Sequence, residues 1–403
     1  MPTTKRWQHP STVLASGLSH VGRVRDHNED SYLVDADALV FLVADGMGGH
    51  AAGEVASKLA IDGVAASWRS APIQAQAREY VGKGDIDRRK RLLANLRDGV
   101  LTAHEGIVAL GAADESKKGM GTTLTGFLIA GGEALFAHAG DSRAYLIRDR
   151  ISLMLSEDHT VSSRLRAAGI DRGIDGPEPE RWKGVLTNAL GMADDTRVAT
   201  FVVPLYSGDR LVLCSDGIHD YLSEVEVGQA VVSAESPARA AQRLVDLALE
   251  RGGADNATCI VVKVLEAGTT EMPKAQRDGH RQALAACPLF KGLSPQQMLR
   301  ALRITTPRQY REGKVVPRVA LEDRVAYIVL EGEVSGSGVR ATPGDVLLPE
   351  ALLHRTLVSE ADLTAKADSY LLMLRRNDFV ELCDDDPDLG VVLYDSMARL
   401  VSR

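Results

Sequence analysis

The sequence predicts an α/β sandwich, in which helices cover β-sheets, followed by a smaller β-roll unit. Two observations favour this fold class. Between Ser16 and Leu265, short β-branched runs alternate with two longer stretches whose apolar residues have helical spacing. A polar stretch then separates this region from a second series of short strands and Gly turns. With 403 residues, the chain is long enough for one large and one small domain.

The strands of the first region are predicted from runs rich in β-branched residues. They are residues 31–34, 38–43, 122–130, 134–139, 143–148, 210–214 and 257–264. Two helices are expected among them. Residues 53–64 and 87–111 place apolar side chains at the spacing that buries one face of a helix. Helices that are separate from the strands in this way are expected to pack over the sheets.

A polar segment, residues 266–282, contains Gly and Pro and has no periodic apolar face. This composition predicts a linker between a first domain, residues 12–265, and a second domain, residues 283–403. In the second domain, Ser294 is expected to cap a helix that begins at Pro295. Short strands follow, and residues 378–401 are predicted to be helical. We therefore expect a small β-roll flanked by helices.

Composition and charge narrow the class of protein. The 45% apolar and 25% charged content is that of a soluble globular protein, and the net charge of -8 argues against nucleic-acid binding. No apolar stretch approaches the roughly 20 residues that cross a bilayer, and the N-terminus lacks a signal-peptide core. We expect a cytoplasmic protein with no membrane contact. The four cysteines are scattered among apolar runs, which favours core packing over disulfides or zinc.

Five short acidic segments follow one another along the first region, at residues 25–30, 45–49, 140–143, 215–217 and 253–256. Most of them place an Asp beside or close to a Gly, next to an apolar run of strand character. An ionised carboxylate beside a residue that lets backbone oxygen approach suits a hard divalent cation. One such pair alone favours a turn, whereas five in series favour a metal site. Two ions held close together can polarise a phosphoryl group and lower the pKa of water.

Seven ordered motifs carry a family resemblance over residues 12–265. They are Arg25-x-x-Asn-Glu-Asp30, Val43-Ala-Asp-Gly-Met-Gly-Gly-His50, Gly119-Met-Gly-Thr-Thr123, Gly140-Asp-Ser-Arg143, Leu186-Thr-Asn-Ala-Leu-Gly191, Cys214-Ser-Asp-Gly217 and Asp255-Asn-Ala-Thr258. This series resembles the bacterial branch of the PPM (type 2C) family of metal-dependent protein serine/threonine phosphatases.

The resemblance implies a fold and an activity. The implied fold is a four-layer α-β-β-α sandwich of two central antiparallel sheets flanked by helices. The implied activity is hydrolysis of phosphoserine and phosphothreonine in a partner protein, by attack of a metal-bridging hydroxide, in opposition to a Ser/Thr kinase. The implied cofactors are two Mn²⁺ or Mg²⁺ ions, with a third and weaker ion in bacterial members.

Carried onto this chain, the resemblance implies that Asp45 bridges the two metals and that the Gly46 carbonyl is a further ligand. Asp216 and Asp255 would complete the shell of the first metal.

Three further carboxylates receive roles from the same resemblance. Asp141, together with Asp216, matches the third-ion positions. Glu29 would reach the second metal through water, and Asp30 would support that shell by hydrogen bonding.

Arg25 is the candidate for binding the substrate phosphate, because a planar guanidinium can hold two phosphate oxygens. The alternative is a surface ion pair with Asp26 or Glu29. The four-residue spacing from Arg25 to Glu29 matches the family motif and favours phosphate binding. Thr122 and Thr123 are expected to follow a turn and begin a core strand, with no catalytic role.

Two positions depart from the family pattern. Met47 stands where animal members carry a His suited to protonating the leaving group, so the general acid is open among His27, His50, His159 and a metal-bound water. Asn188 stands at the usual Arg, which alters substrate contacts or the packing of the neighbouring loop.

A third departure lies between Asp158 and Gly184, in the segment that forms a mobile flap in the family. Here it reads as a short helix from Ser162 followed by a Gly-, Pro- and acid-rich stretch. The His-Pro pair usual in this stretch of the family is missing, so substrate choice does not carry over.

Residues 284–403 resemble a cyclic-nucleotide-binding domain. The resemblance rests on residues 288–294, 310–316, 326–334, 343–345 and 374–379, most of which shape the turns of a roll. In the phosphate cassette Glu350 is kept, but Pro349 replaces a Gly and Ala361 stands at the Arg. The acidic residues 360–362 would repel a cyclic phosphate.

The sequence therefore favours a degenerate roll that mediates protein contact, homodimerisation or regulation of the phosphatase. A cyclic-nucleotide-regulated phosphatase and a scaffold with a vestigial phosphatase domain are the alternatives. The final helix offers one apolar face, which serves either a partner or packing on its own roll. That face consists of Leu389, Val392, Leu393, Met397, Leu400 and Val401.

Overall fold

The structure is a computed structural model. It describes residues 11–48, 51–80, 82, 85–167, 184–192, 196–268, 272–320, 323–336, 338–353 and 363–402. The chain divides into two compact units. Unit 1 contains residues up to Gly82 and from Asp87 to Thr269, and unit 2 contains the chain from Thr270 onward together with residues 83–86.

The strands and helices of unit 1 alternate along the chain. The strands are β1 Thr12–His20, β2 Asp30–Asp35, β3 Val40–Met47, β4 Gly121–Thr122, β5 Leu124–Ala130, β6 Glu133–Ala139, β7 Arg143–Arg148, β8 Ile151–Met154, β9 Ala199–Pro204, β10 Arg210–Cys214 and β11 Ala257–Glu266. The helices are α1 Ala51–Trp68, α2 Ala71–Glu79, α3 Ile86–Ala113, α4 Val161–Ala167, α5 Asp216–His219, α6 Glu224–Ser233 and α7 Pro237–Glu250.

Two antiparallel sheets organise unit 1. The first has the strand order β1-β11-β10-β7-β8, and the second has the order β2-β3-β5-β6-β9, with β4 paired to β3. The predicted α/β class, with antiparallel sheets and covering helices, is confirmed at this level.

Helices α1 and α3 cover one face of the second sheet. Val40 and Leu42 of β3 share a core with Val64 and Trp68 of α1. The Trp68 indole Nε1 donates to the Leu96 carbonyl of α3 at 3.0 Å, so the buried N–H has a partner. The helical spacing of these apolar residues is therefore explained by one continuous core.

The opposite face of the second sheet carries a row of aromatic rings on adjacent strands. Phe41 and Phe127 have ring centroids 5.0 Å apart, Phe127 and Phe136 4.9 Å, and Phe136 and Phe201 4.6 Å. These residues are paired across β3, β5, β6 and β9. Because both faces are buried, the strands read as continuous apolar runs instead of alternating ones.

Helices α6 and α7 cover the first sheet. Val212 of β10 and Cys259 of β11 share a core with Val231 of α6 and Leu244 of α7. All four cysteines of the chain are free and buried, and burial raises the pKa of each thiol. The predicted core role of the cysteines is confirmed. Among the described helices, none combines the length and apolar character that crossing a membrane requires.

Unit 2 is rich in short strands. They are β12 Thr305–Tyr310, β13 Val315–Val316, β14 Val319–Ala320, β15 Asp323–Glu331, β16 Val334–Gly336, β17 Val339–Ala341, β18 Val346–Leu347, β19 Leu363–Ala365 and β20 Ser369–Arg375. One sheet has the order β12-β20-β15-β14 with β18 on β15, and the other has the order β13-β19-β16-β17. The helices are α8 Lys274–Ala286, α9 Pro295–Leu302, α10 Glu350–Leu353, α11 Arg376–Asp385 and α12 Pro387–Val401.

Helix α8 corrects the predicted linker, because it begins at Lys274, inside residues 266–282. One side of the helix is buried through His280 and Ala283. His280 Nε2 lies 2.8 Å from Glu331 Oε1 of β15. The buried face of α8 consists of His and Ala, and the helix has no Leu or Val before Leu284. It therefore lacks the periodic pattern of large apolar residues by which a helix is predicted from sequence.

The helix ends of unit 2 follow their capping residues. Ser294 and Gln297 form a reciprocal capping box at the start of α9, which confirms the predicted cap. The single helix predicted over residues 378–401 is two helices, interrupted at Asp386. Pro387 disfavours helical backbone at the preceding residue, and the Asp386 carboxylate accepts from the Leu389 amide at 3.2 Å. The break is therefore encoded by Asp-Pro.

Candidate active site

Asp45 lies near the end of β3, and two threonines fix its main chain. The Asp45 amide donates to Thr123 Oγ1 at 2.9 Å. The Asp45 carbonyl accepts from the Thr123 amide at 2.9 Å and from Thr122 Oγ1 at 2.8 Å. Thr122 and Thr123, for which no catalytic role was expected from the sequence, therefore fix the backbone of Asp45.

Asp30 pairs with Asp45 across β2 and β3 and is 8% exposed. Its Oδ2 accepts from Ser215 Oγ at 2.8 Å, and Ser215 directly precedes Asp216 at the start of α5. Within the described chain, Asp30 Oδ1 is buried with no hydrogen-bond partner. The hydrogen bond between Ser215 and Asp30 thus joins the first acidic segment, residues 25–30, to the fourth, residues 215–217.

Four buried acids are close enough to raise each other's pKa. Burial raises the pKa of Asp45 well above its usual range, and the charges of Asp216 and Asp30 add to the rise. Burial, with smaller contributions from neighbouring acids, raises the pKa of Asp30 to about 7 and that of Asp216 to about 6. Burial and the Asp216 charge raise the pKa of Asp141 to about 7. Such a cluster favours either protons or a cation.

Asp255 is turned towards a different partner. Arg25 Nη2 donates to Asp255 Oδ2 at 2.7 Å, and the two side chains are 53% and 36% exposed. The ion pair considered for Arg25 from the sequence, with Asp26 or Glu29, is thus replaced by one with Asp255. The remaining Asp255 oxygen, Oδ1, accepts from the Asn256 amide at 2.8 Å.

Glu29 and Gly46 are held side by side. The Glu29 amide donates to Asn256 Oδ1 at 2.8 Å, and the Gly46 amide donates to the Glu29 carbonyl at 3.1 Å. A Cβ on Gly46 would lie 2.2 Å from the Gly53 carbonyl oxygen and 2.6 Å from the Glu29 carbonyl oxygen. Only glycine therefore fits beside Asp45 at this point.

Asp141 lies in the turn between β6 and β7, and its neighbours join it to Asp45. The Ser142 hydroxyl is 2.7 Å from Thr123 Oγ1, the same atom that accepts from Asp45. His219 Nε2 lies 3.0 Å from the Asp141 carbonyl, so this nitrogen carries the donated proton. Burial lowers the pKa of His219 to about 4, so its imidazole is neutral.

The residues that depart from the family pattern are only partly described. Met47 ends β3 and pairs with Gly121 of β4. Asn188 and His159 lie beside the Asp141 turn. His50 and residues 168–183, which include most of the predicted flap, lie outside the described residues. The short helix expected from Ser162 is α4, which begins at Val161.

The carboxylates of this region carry the oxygen donors that a divalent cation prefers. Within the described ranges, no group of three or more Asp, Glu, His or Cys side chains is already arranged as a metal-binding site. Asp255, which such a group would use, is engaged by Arg25. The other carboxylates fit a hard cation because their donors are oxygens. Burial, with a smaller contribution from neighbouring acids, raises the pKa of Asp45, Asp30, Asp216 and Asp141, and within the described residues Asp30 Oδ1 has no hydrogen-bond partner. The residues suit metal binding once Asp255 exchanges partners.

Sequence reasoning missed the residues that position these acids. They are Thr122, Thr123, Ser142, Ser215, Asn256 and His219. Three of the six are directly beside a motif acid, and Thr122 and Thr123 directly follow the motif glycines. That position in a motif was the only sign of their role that the sequence offered. A hydroxyl or amide next to a buried carboxylate is expected to hold it or its backbone.

Comparison with known proteins covers the same region. Residues 17–249 match the family model described as protein phosphatase 2C. The chain is 33% identical over 246 residues to the serine/threonine phosphatase stp of Listeria monocytogenes, which covers 60% of this chain and 92% of that protein. It is 37% identical over 250 residues to the serine/threonine protein phosphatase PstP of Mycobacterium tuberculosis, which covers 61% of this chain and 44% of that protein.

A solved structure agrees with these matches. The catalytic domain of the phosphatase PstP, in complex with two manganese ions, is 35% identical with a TM-score of 0.51, covering 64% of this chain and 100% of that one. The family match includes the motif region from Arg25 to Asp216. This chain therefore belongs to the protein phosphatase 2C family.

Proposed function

We propose that the protein is a Mn²⁺- or Mg²⁺-dependent phosphatase that hydrolyses phosphoserine and phosphothreonine in partner proteins. The observation that carries the proposal is the convergence of the buried acids Asp45, Asp216, Asp141 and Asp30, each with a raised pKa. Relatives over the same region are named serine/threonine phosphatases, and one is solved with two manganese ions. Opposition to a Ser/Thr kinase is part of the proposal.

The chain's own residues divide the work of holding the ions. Asp45, with its main chain fixed by Thr122 and Thr123, would bridge two ions beside the Gly46 carbonyl. Asp216 and Asp255 would complete the first shell. When bound, the ions neutralise the acids, polarise the phosphoryl oxygens and lower the pKa of water.

The remaining acids would act around this pair. Glu29, held by Asn256, would contact the second ion through water. Asp30 would support that shell, since Ser215 already fixes one of its oxygens. Asp141 would hold a third ion together with Asp216, whose charge already raises its pKa.

Arg25 would bind the phosphate of the substrate. Its present partner, Asp255, is one of the proposed metal ligands, so cation binding would release the guanidinium for phosphate oxygens. Both groups are partly exposed, and exposed ion pairs contribute at most about 1 kcal/mol. The exchange of partners therefore has a small energetic cost.

Two structural proposals accompany the activity. Helices α1 and α3 on one sheet, and α6 and α7 on the other, support a four-layer α-β-β-α arrangement of unit 1.

For unit 2 we propose a degenerate nucleotide-binding roll that regulates the phosphatase or mediates contact, including homodimerisation. The central residues of its final helix, Leu389, Leu393 and Met397, pack into its own core, which supports the intramolecular use of that face. Ala361 and the acidic residues 360–362 lie outside the described residues, so the lost cassette Arg stays a prediction from the sequence.

The test of the activity is hydrolysis of p-nitrophenyl phosphate and of a phosphothreonine peptide with Mn²⁺. We expect Asp216→Asn to lower kcat at least about 100-fold, because a shared metal ligand is weakened. The control is Asp62→Asn, which changes an exposed acid paired with Lys58 on α1. Activity without metal, or full activity of Asp216→Asn, would overturn the proposal.

A second measurement addresses unit 2. Calorimetry of the full chain with cyclic AMP and cyclic GMP is expected to show no micromolar binding, and such binding would overturn the degenerate-roll proposal.

A further inference from the structure

We propose that Asn188 is a positioning residue for Asp141 and that it acts by fixing the tautomer of His159. The role of Asp141 as the third-ion ligand rests on the function proposed above. The tautomer itself follows from hydrogen bonds that do not depend on that function.

The backbone of Arg197 fixes the orientation of the Asn188 side-chain amide. The Arg197 backbone amide can only donate, and it lies 3.0 Å from Asn188 Oδ1. The Arg197 carbonyl can only accept, and it lies 2.8 Å from Asn188 Nδ2. The two contacts to one residue define which end of the side chain is oxygen.

Two hydrogen bonds show which ring nitrogen of His159 carries the proton. With its orientation fixed, Asn188 Nδ2 presents an N–H to His159 Nδ1 at 2.9 Å. The Gly140 backbone amide also donates to His159 Nδ1, at 3.1 Å. A nitrogen that receives two N–H donors carries no proton of its own. His159 is therefore neutral, with its proton on Nε2.

His159 and His219 both bind the backbone of the turn that carries Asp141. His159 returns a bond to Gly140, because its own amide donates to the Gly140 carbonyl at 2.8 Å. On the other side of the turn, His219 Nε2 donates to the Asp141 carbonyl at 3.0 Å. Two histidines, His159 accepting at Nδ1 and His219 donating from Nε2, therefore hold the backbone on both sides of the Asp141 side chain.

The turn has little freedom to adopt another path. Gly140 has a φ of +110°, and a Cβ there would lie 2.6 Å from Thr123 Cβ. If His159 carried a proton on Nδ1, that N–H would face the donors of Gly140 and Asn188. The turn would then have to move, and the Asp141 carboxylate would move with it.

An arginine at position 188 could not supply the same set of bonds. Guanidinium has no acceptor for the Arg197 amide, so it would leave that N–H to another partner. Asn188 thus joins the chain at Arg197 to the turn at Gly140 through a single side chain. Asn188, one of the positions at which this chain departs from the family pattern, therefore has a defined structural role.

The first test is the tautomer of His159, read by ¹⁵N NMR of the metal-free full-length protein. We expect the proton on Nε2, and a proton on Nδ1 would overturn the proposal. This measurement uses the wild-type chain, so it does not depend on whether any variant folds.

The second test compares two substitutions of His159 by Mn²⁺ titration calorimetry. His159→Asn keeps an acceptor oxygen near the Nδ1 position, whereas His159→Leu has similar bulk and no acceptor. We expect His159→Leu to weaken the weakest-bound Mn²⁺ about tenfold, the size of one lost acceptor for a buried N–H. His159→Asn should restore most of that affinity. If Asn and Leu weaken it equally, the Nδ1 acceptor is not what matters and the proposal fails.

The third test is Asn188→Leu, with Asn95→Leu as control. Asn95 also donates from its amide to a neighbouring side chain, Gln76, at 2.8 Å, but on α3. Only Asn188→Leu should change the His159 tautomer balance and the weakest Mn²⁺ affinity, and no difference between the two variants would contradict the proposal. If the wild-type chain binds no Mn²⁺ at all, the proposed function is wrong. If the wild-type chain binds Mn²⁺ and the variants bind it with unchanged affinity, only the positioning role of Asn188 is wrong.

Discussion

Arg25 Nη2 lies 2.7 Å from Asp255 Oδ2, so the side chain proposed to bind phosphate is paired with a carboxylate proposed to bind metal. The two residues are 230 positions apart in the sequence. Since a carboxylate engaged by a cation is a weaker partner for Arg25, metal and phosphate binding are expected to support each other. The order of binding that follows is metal first and phosphoprotein second.

Substitution Arg25→Ala tests this pairing. We expect the KM for a phosphothreonine peptide to rise about 10- to 100-fold, because charge-assisted hydrogen bonds to phosphate are lost. Mn²⁺ affinity should be unchanged or slightly higher, since Asp255 loses its competing partner. Steady-state kinetics and calorimetry measure the two quantities. Arg25→Lys, which keeps the charge without the planar fork, should be intermediate, and an unchanged KM in Arg25→Ala would contradict the assignment.

The stability of the metal-free protein should fall as pH rises from about 4 to about 7. The raised pKa values of Asp30, Asp141 and Asp216 mean that the folded state binds protons which the unfolded chain has already lost. Their stabilisation is present at low pH and is lost as pH passes through about 6 to 7. His219 acts in the opposite direction, because its pKa is lowered to about 4, but one imidazole is outweighed by three carboxyls.

Thermal melts in chelator and in Mn²⁺ measure this effect. In chelator the Tm should drop across the interval, whereas saturating Mn²⁺ should remove most of the drop because the cation replaces the protons. Mn²⁺ binding near pH 6 should also release protons, which calorimetry in two buffers detects. A Tm that rises with pH in chelator would show that the acids are not mutually destabilising.

Thr123 is predicted to be required for the position of Asp45. Thr123→Val preserves shape but removes the oxygen that accepts from the Asp45 amide, so we expect a loss of about 1 to 3 kcal/mol in the free energy of unfolding. Mn²⁺ affinity should fall with it. Thr123→Ser, which keeps the hydroxyl, is the matched control in chemical denaturation. Equal stability of the Val and Ser variants would argue that the hydroxyl does not hold Asp45.

Helix α8 is predicted to be part of the folded core of unit 2. Ala283 is 4% exposed, so Ala283→Glu would bury an unpaired charge and destabilise that unit by about 3 kcal/mol. Gln282→Glu adds the same side chain at the exposed neighbouring position and should change stability little. Denaturation followed by circular dichroism compares them. If the two variants unfold alike, α8 is not part of the core, and the linker predicted from the sequence over residues 266–282 stands.

Strands buried on both faces were the easiest elements to predict. The runs at 143–148 and 210–214 coincide with β7 and β10, since a short continuous apolar run is typical of a strand that is buried on both faces. Strand β1 was not predicted, because its Ser, Gly and His residues at an edge of the sheet carry little apolar signal. Helices α6 and α7 were also not predicted, although each is preceded by a serine that caps its N-terminus, Ser223 and Ser236 respectively.

The acids of the site could be predicted because each stands in a short motif. Their partners could not, because the contacts join distant segments. Thr123 reaches Asp45 from 78 residues away, and Ser215 reaches Asp30 from 185 residues away. Sequence spacing identifies residue types within a segment, but only the fold decides which segments meet.

The four buried cysteines have a consequence for redox chemistry. A thiol reacts with oxidants as thiolate, and burial raises the pKa of all four thiols in this chain. The residues assigned to the proposed phosphate and metal sites are acids, Gly46 and Arg25, and none of them is a cysteine. Peroxide that inactivates thiol-dependent phosphatases should therefore leave this protein working, so that phosphate removal continues under oxidative stress.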